Sequence, residues 1–304
     1  MLLSILAINL FDAINASKCE CREVDSWETL VNMFGETYAA VGVDGSVESL
    51  QDPPLLLLCP FEIDKLSNES VYRFRDPIHV ACHKSYGEPN KCQINEHSDD
   101  YMFRADDDNV WLQGLDITGS REGAVLVASN KKNVKFIDMT FDDNVNVNKN
   151  GGILNINFGA TVEVIDSTFS SNIGSAIENW GDLTVVKSIF LENDSSPSEI
   201  SNDADERGGG VAGAIFNGYG GNVYLADNMF IDNSAMESGP AVWSAQPSVR
   251  DLGGNCGSSN TIHDERDRDN IISYCDGIFT KYETMEATDN KLATTCSYFG
   301  APCS

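Results

Sequence analysis

Basic side chains are scarce in this 304-residue chain: 20 lysines and arginines face 47 aspartates and glutamates, for a formal net charge of −27. Such a surface repels nucleic acid and anionic lipid, so neither is an expected partner. Histidine is scarcer still, with His79, His83, His97 and His263 scattered along the chain. No Cys-x-x-Cys pair exists either, and a zinc site is therefore not expected. Long hydrophobic runs are missing. The one apolar stretch, Leu2–Phe11, is about ten residues long, too short to span a bilayer, and Asp12 interrupts it. It reads as a secretory signal over residues 1–16, with Ile14 and Ala16 at the peptidase-reading positions, although no Lys or Arg precedes it. A truncated gene or a buried N-terminal strand are the other readings. No membrane span is expected in the mature protein.

The centre of the chain lacks cysteine. The nine cysteines fall at 19, 21, 59, 82 and 92, then at 256, 275, 296 and 303. That distribution fits disulfides made in an oxidising compartment. Local staples would join Cys82 to Cys92, Cys256 to Cys275 and Cys296 to Cys303, while Cys59 would take Cys19 or Cys21. The triplets Asn68-Glu-Ser70 and Asn193-Asp-Ser195 are glycosylation sequons and fit an extracellular protein. Asn193 also belongs to a repeat, which would bury it.

What the chain has in abundance is that repeat. Phe-x-x-Asn occurs at Phe141–Asn144, Phe169–Asn172, Phe190–Asn193 and Phe230–Asn233. An apolar residue stands seven positions before each Phe (Val134, Val162, Leu183, Val223), and a glycine opens a small-apolar run after each Asn (Gly152, Gly174, Gly213, Gly239). A degenerate copy precedes them, with Ile117 for Phe and Ser120 for Asn; another begins at Val249 and puts Cys256 in the Phe place. Runs such as TVEVID and NVYLAD alternate apolar and polar residues, the period of a strand, and no copy offers ten residues of helical periodicity. Short strands repeating about every twenty residues predict an all-β fold, a single-stranded right-handed parallel β-helix. Coils rising by about 4.8 Å would stack like on like, Phe filling the bore and Asn bonding along the axis at a left-handed corner.

The interval from Asn to Gly is uneven: 144 to 152, 172 to 174, 193 to 213 and 233 to 239. Large insertions therefore share one corner and form one longitudinal edge, the expected binding edge. Ahead of the repeats, Asp25-Ser-Trp-Glu28 resembles a capping box, and Trp27, Leu30, Val31 and Phe34 follow at helical spacing. A helix over 26–34 would plug the bore. The organisation is thus a signal (1–16), an N-terminal cap (17–54), the β-helix (55–256) and a disulfide-stapled C-terminal cap (257–304).

On these motifs, over residues 50–260, the chain resembles the pectin-lyase-like right-handed β-helix superfamily. The Phe-x-x-Asn motif with the runs GGIL, GSAI and GAIF is similar to the repeat pairs of chlamydial polymorphic membrane proteins, which are adhesins. The cysteine-flanked rung and the segment Cys275-Asp-Gly-Ile-Phe279 resemble secreted β-helix proteins of algae and other stramenopiles. The resemblance implies the fold and an adhesive or binding role. Its motifs stack coils and do no chemistry, so no activity travels with them.

Lyases of this fold set calcium-binding acids beside an Arg or Lys base, and hydrolases set carboxylates about the glycosidic bond. The runs NTDG, GHG, RIK and WIDH are absent. The nearest catalytic candidate is a column just before the Phe, namely Asp138, Asp166, Lys187 and Asp227. It is either a base between metal-binding acids or a ladder of corner residues. Asp106-Asp107-Asp108 is either a cation site or a solvated turn. The acidic loop carrying Asp194, Glu199, Asp203, Asp205 and Glu206 is a calcium candidate without EF-hand spacing. Trp180, Tyr219 and Trp243 could offer sugar-stacking faces on the insertion edge, or pack between rungs. The expected function is non-catalytic binding of a polysaccharide or cell-surface glycan. The alternative is a polysaccharide lyase or glycoside hydrolase acting on an acidic glycan, whose charge this chain would repel unless calcium bridged the two.

Overall fold

A computed structural model describes residues 21–41, 53–66, 69–83, 92–97, 100–146, 151–195, 212–235, 239–245, 248–262, 271–272 and 279–280. The chain is an all-β parallel β-helix: two eight-stranded sheets and one seven-stranded sheet, all built from parallel neighbours, run its length. Each coil gives one strand to each sheet in turn. Over the repeats, sheet one holds Val134–Ile137, Thr161–Ile165, Asp182–Val186 and Asn222–Ala226. Sheet two holds Thr140–Asp142, Thr168–Ser170, Ile189–Leu191 and Met229–Ile231. Sheet three holds Gly152–Ile156, Ser175–Asn179, Ile215–Asn217 and Val242–Ser244.

The register puts Ile117, Phe141, Phe169, Phe190 and Phe230 in one file, all with 0% exposure. The four rings stack at 4.7, 5.1 and 4.9 Å with planes within 13° of parallel. Their spacing is that of neighbouring strands, so ring contact and backbone pairing reinforce each other. The last repeat departs from expectation. Phe230 pairs with Gly257, and Cys256 pairs with Met229. An extra residue at Gly253-Gly254 takes up the slip; both glycines are left-handed, and a Cβ on Gly254 would collide with the Asp227 carboxylate.

The asparagines form a second file. Each amide donates to the Asn oxygen one coil onward: Asn144 to Asn172 (3.1 Å), Asn172 to Asn193 (2.7 Å), Asn193 to Asn233 (2.9 Å) and Asn233 to Asn260 (3.0 Å). Each also donates back to the carbonyl of the Ile117–Phe230 file residue one coil earlier, as Asn172 does to Phe141 O (3.0 Å). The left-handed corner is occupied by the residue before each asparagine, not by the asparagine: Asp143, Ser171, Glu192, Asp232 and Ser259 have φ of 52–57°. The asparagine itself must turn inward to reach its partners. This settles Asn193, which is fully buried with its amide committed to Phe169 O and Asn233 Oδ1. The folded coil offers no nitrogen there for a glycan; Asn68 lies outside the described residues.

Two further polar files mark the other corners. Ser167, Ser188, Asn228 and Asn255 link sheet one to sheet two. Asn179, Asn217 and Ser244 link sheet three to sheet one.

The N-terminal helix spans Trp27–Val41, longer than its expected 26–34. Its cap is Ser26, whose Oγ accepts from Thr29 N at 3.1 Å, so Thr29 stands where Glu28 was expected to close the box. Trp27, Leu30, Met33 and Phe34 are buried, and Phe34 packs on Phe74 and Phe103 to close the bore. Beneath it, Lys65 and Glu96 form a fully buried ion pair at 2.9 Å. Cys21 bonds to Cys59, Cys82 bonds to Cys92, and Cys256 is disulfide-bonded as well. Cys275, Cys296 and Cys303 lie outside the described residues, as does the 1–16 segment.

The asparagine file sets a stability test. Replacing Asn172 by Ala strips four hydrogen bonds from buried partners on two neighbouring coils. Orphaned buried groups cost about 1–3 kcal/mol each, so a loss of at least about 3 kcal/mol is expected in denaturant unfolding. Ser120 holds the same place one coil earlier, and its buried hydroxyl has no hydrogen-bond partner. Ser120→Ala is therefore expected to be neutral or stabilising by up to about 1 kcal/mol. Equal losses in both variants would refute the ladder.

Candidate ligand-binding face

Trp180 and Tyr219 do not sit on the insertion edge. The uneven intervals fall between sheets two and three, whereas these aromatics follow the sheet-three strands and occupy the turns into sheet one. The local sequence explains the placement. Asn179 and Gly181 exchange hydrogen bonds at 3.0 Å in each direction, and Asn217 donates to Gly221 O at 3.1 Å. Each asparagine side chain thus holds its turn from inside, and the residues between are pushed outward. Phe158 and Tyr219 are 55% and 69% exposed.

Around them the rings form a row. Phe158 lies 5.2 Å from Trp180, Trp180 lies 5.7 Å from Phe216, and Phe216 stacks on Trp243 at 4.9 Å with an 11° interplanar angle. Trp180 and Trp243 are half-buried and Phe216 is buried, so the row is a continuous apolar wall open at the Phe158–Tyr219 end. Gly218 is required by this packing: a Cβ there would sit 2.3 Å from Trp180 Cε3. Gly220, left-handed at φ 87°, carries the Tyr219 turn up to the Phe158 ring, where a Cβ would sit 3.5 Å from its edge.

Glu178 sits in this wall. It pairs in register with Asn155 and Phe216 on the outward side of sheet three, yet it is only 7% exposed. Oε1 accepts the Trp180 indole N–H at 2.6 Å; Oε2 accepts from Asn155 Nδ2 at 2.6 Å and Gly152 N at 3.3 Å. Burial raises its pKa above the usual carboxylate range, against the lowering effect of those donors. Asn155 also hydrogen-bonds the Tyr101 hydroxyl, whose pKa is pushed up to about 12 by burial and then by the Glu178 charge.

Sequence reasoning named Trp180, Tyr219 and Trp243 but missed Phe158, Phe216 and Glu178. The usable signal was the residue before the inward Asn or Ser of this corner: Glu178, Phe216 and Trp243 precede Asn179, Asn217 and Ser244.

The other candidates lie elsewhere. Asp138, Asp166, Lys187 and Asp227 all adopt φ of 51–57° at the turn from sheet one to sheet two. Each donates its backbone N–H to the next coil, as Lys187 does to Ala226 O (2.9 Å), so the column repeats one turn shape. Asp166, Lys187 and Asp227 are exposed on that ridge. Asp194 bridges Ile173 and Ser234, while Asp203, Asp205 and Glu206 lie outside the described residues. In the acidic triplet, Asp106 accepts from Arg104, Asp107 from Asp108 N, and Asp108 from Lys132 N. Among the described residues no group of three or more His, Cys, Asp and Glu is placed to hold a metal. On sheet one, Trp111 and Tyr224 have their faces taken by Lys135 at 4.9 Å and Arg250 at 5.5 Å. A cleft of 460 Å³ beside the N-terminal helix is lined by Asp25, Glu62, Asp64 and Glu69.

No family model matches the chain, and neither a curated protein nor a solved structure is significantly similar to it.

A raised carboxylate pKa fixes the sign of a pH test. The stability contribution of Glu178 is fully present below its unfolded pKa and is lost as pH rises through the higher folded value. Glu178→Gln is therefore expected to gain stability relative to wild type on going from pH 5 to pH 8. Urea unfolding at both pH values checks this; an unchanged difference would show that the buried carboxylate carries no such cost.

Proposed function

We propose that this protein is a non-catalytic extracellular β-helix of the pectin-lyase-like kind that binds a neutral polysaccharide or cell-surface glycan. The contact is the aromatic row at the turn from sheet three to sheet one. The observation that carries the reading is the exposure of Phe158 beside the Trp180 indole and of Tyr219 on a turn held from inside by Asn217. Aromatic rings held rigid lose little entropy on contact and offer apolar faces to the C–H side of a sugar ring. The turns of Phe158, Trp180 and Tyr219 lie on three successive coils, about 4.8 Å apart, so the platform runs along the axis and suits an extended chain. A polyanion is disfavoured by the charge of −27. Disulfides such as Cys21–Cys59 and Cys82–Cys92 persist in an oxidising compartment, in keeping with secretion. Among the described residues no helix is long and apolar enough to cross a membrane.

A lyase or hydrolase would need an acid and a base gathered in a groove. The Asp166, Lys187 and Asp227 column instead follows a ridge of left-handed turns.

Affinity electrophoresis in gels containing a soluble neutral β-glucan, with polygalacturonate as the charged control, tests the reading. Retardation is expected in the neutral gel, reduced about tenfold in affinity for Trp180→Ala and for Tyr219→Ala, as for a loss of about 1.4 kcal/mol. Retardation indifferent to both substitutions, or release of unsaturated products from polygalacturonate, would sink it.

A further inference from the structure

Trp180 is held by more than packing. Its indole N–H ends on a carboxylate oxygen that is shielded from solvent, and the second oxygen of the same carboxylate is held by two donors on the preceding coil. We infer that Glu178 is a positioning residue: its ionised carboxylate locks the Trp180 indole in the orientation that completes the aromatic row, and so sets how strongly that row grips a glycan. The inference rests on the glycan-binding reading of the row.

Three observations carry it. First, an acid is an unusual choice for a nearly buried position flanked in register by Asn155 and Phe216. Second, the acid is fully engaged: Trp180 takes one oxygen, and Asn155 with the Gly152 backbone takes the other. Glycine at 152 permits that approach, since a Cβ there would sit 2.8 Å from Glu178 Cβ. Third, the lock is backed from behind. Tyr101 packs over Gly123, where a Cβ would meet its ring at 2.8 Å, and its hydroxyl joins Asn155. Asn155 is thus fixed between Tyr101 and Glu178. Hydrogen bonds to an ionised acceptor are about twice as strong as neutral ones, so the charge, beyond the shape, holds the indole.

The charged and titratable groups around the lock are few. Tyr101 faces Glu178, and Asp100 and Glu122 bear on Tyr101. All are acids or a phenol, and the three carboxylates hold the Tyr101 phenol protonated. Burial raises the Glu178 pKa, so its carboxylate takes up a proton above the ordinary carboxylate range as pH drops, and the indole loses its charged acceptor. Glycan affinity should decline on acidification above the ordinary carboxylate range.

The test has one arm without ligand and one with it. In free protein labelled with 15N-tryptophan, the Trp180 indole resonance (assigned by its loss in Trp180→Phe) should move with pH as Glu178 titrates. In Glu178→Gln it should stay fixed. In neutral β-glucan gels, wild type should lose affinity about three- to tenfold as pH falls through that transition, with Glu178→Gln weaker and flat across the range. An indole signal insensitive to pH in wild type overturns the lock, and needs no variant to fold. A Glu178→Gln profile matching wild type, with Trp180→Ala still weakening retardation, overturns the positioning role and leaves the glycan reading intact. If Trp180→Ala also leaves retardation unchanged, the binding reading fails, and the role in ligand grip fails with it.

Discussion

The constraint on which everything rests is that a buried amide must find its partner on the next coil. The stacked phenylalanines, with the buried Val, Ile and Leu around them, drive the bore closed, since burying each ring is worth about 1.5–3 kcal/mol. Hydrophobicity alone, however, tolerates slippage. The amide of Asn172 does not, because its two hydrogens go to Phe141 O and Asn193 Oδ1 on opposite sides. A shift of one residue would strand both. The inward asparagines thus convert a sticky stack into a registered one, and the corners beside them hold residues at φ of 52–57° that point outward. Every surface column in the molecule, including the aromatic row, inherits its alignment from this internal bonding.

Much of the fold was legible because its determinants are local. The Phe-x-x-Asn spacing lies within a single turn of the coil, where chain length cannot vary, so counting residues gives the true register from Ile117 to Phe230. Counting failed at Cys256, where one additional glycine entered the turn from sheet one to sheet two. Both ends of the N-terminal helix were harder. Ser26 rather than Asp25 is the cap, and nothing in the pattern after Phe34 forecast continuation to Val41.

The candidate site was only half legible, for a physical reason. Its residues belong to the third corner, which follows the variable insertions, so their alignment across coils depends on segments whose length changes each time. Trp180 and Tyr219 stood out by residue type. Their ring neighbours Phe158 and Phe216 did not, and Glu178 looked like one more acid in a chain with many. Only the pairing of Asn155, Glu178 and Phe216 reveals that this acid faces the aromatic wall. The Asp166, Lys187 and Asp227 column shows the converse. Its regularity suggested chemistry, and its backbone geometry accounts for it as a turn.

The side-chain amides of the inner file all point toward the C-terminal end, from Asn144 through Asn260. A file with a single direction has no internal seam. A duplicated unit of 21 residues, the distance from Asn172 to Asn193, could be spliced between any two of its members and meet a waiting acceptor above and a waiting donor below. Gene duplication could therefore lengthen or shorten this molecule by whole turns, with the outer aromatic track stretching or shrinking in step.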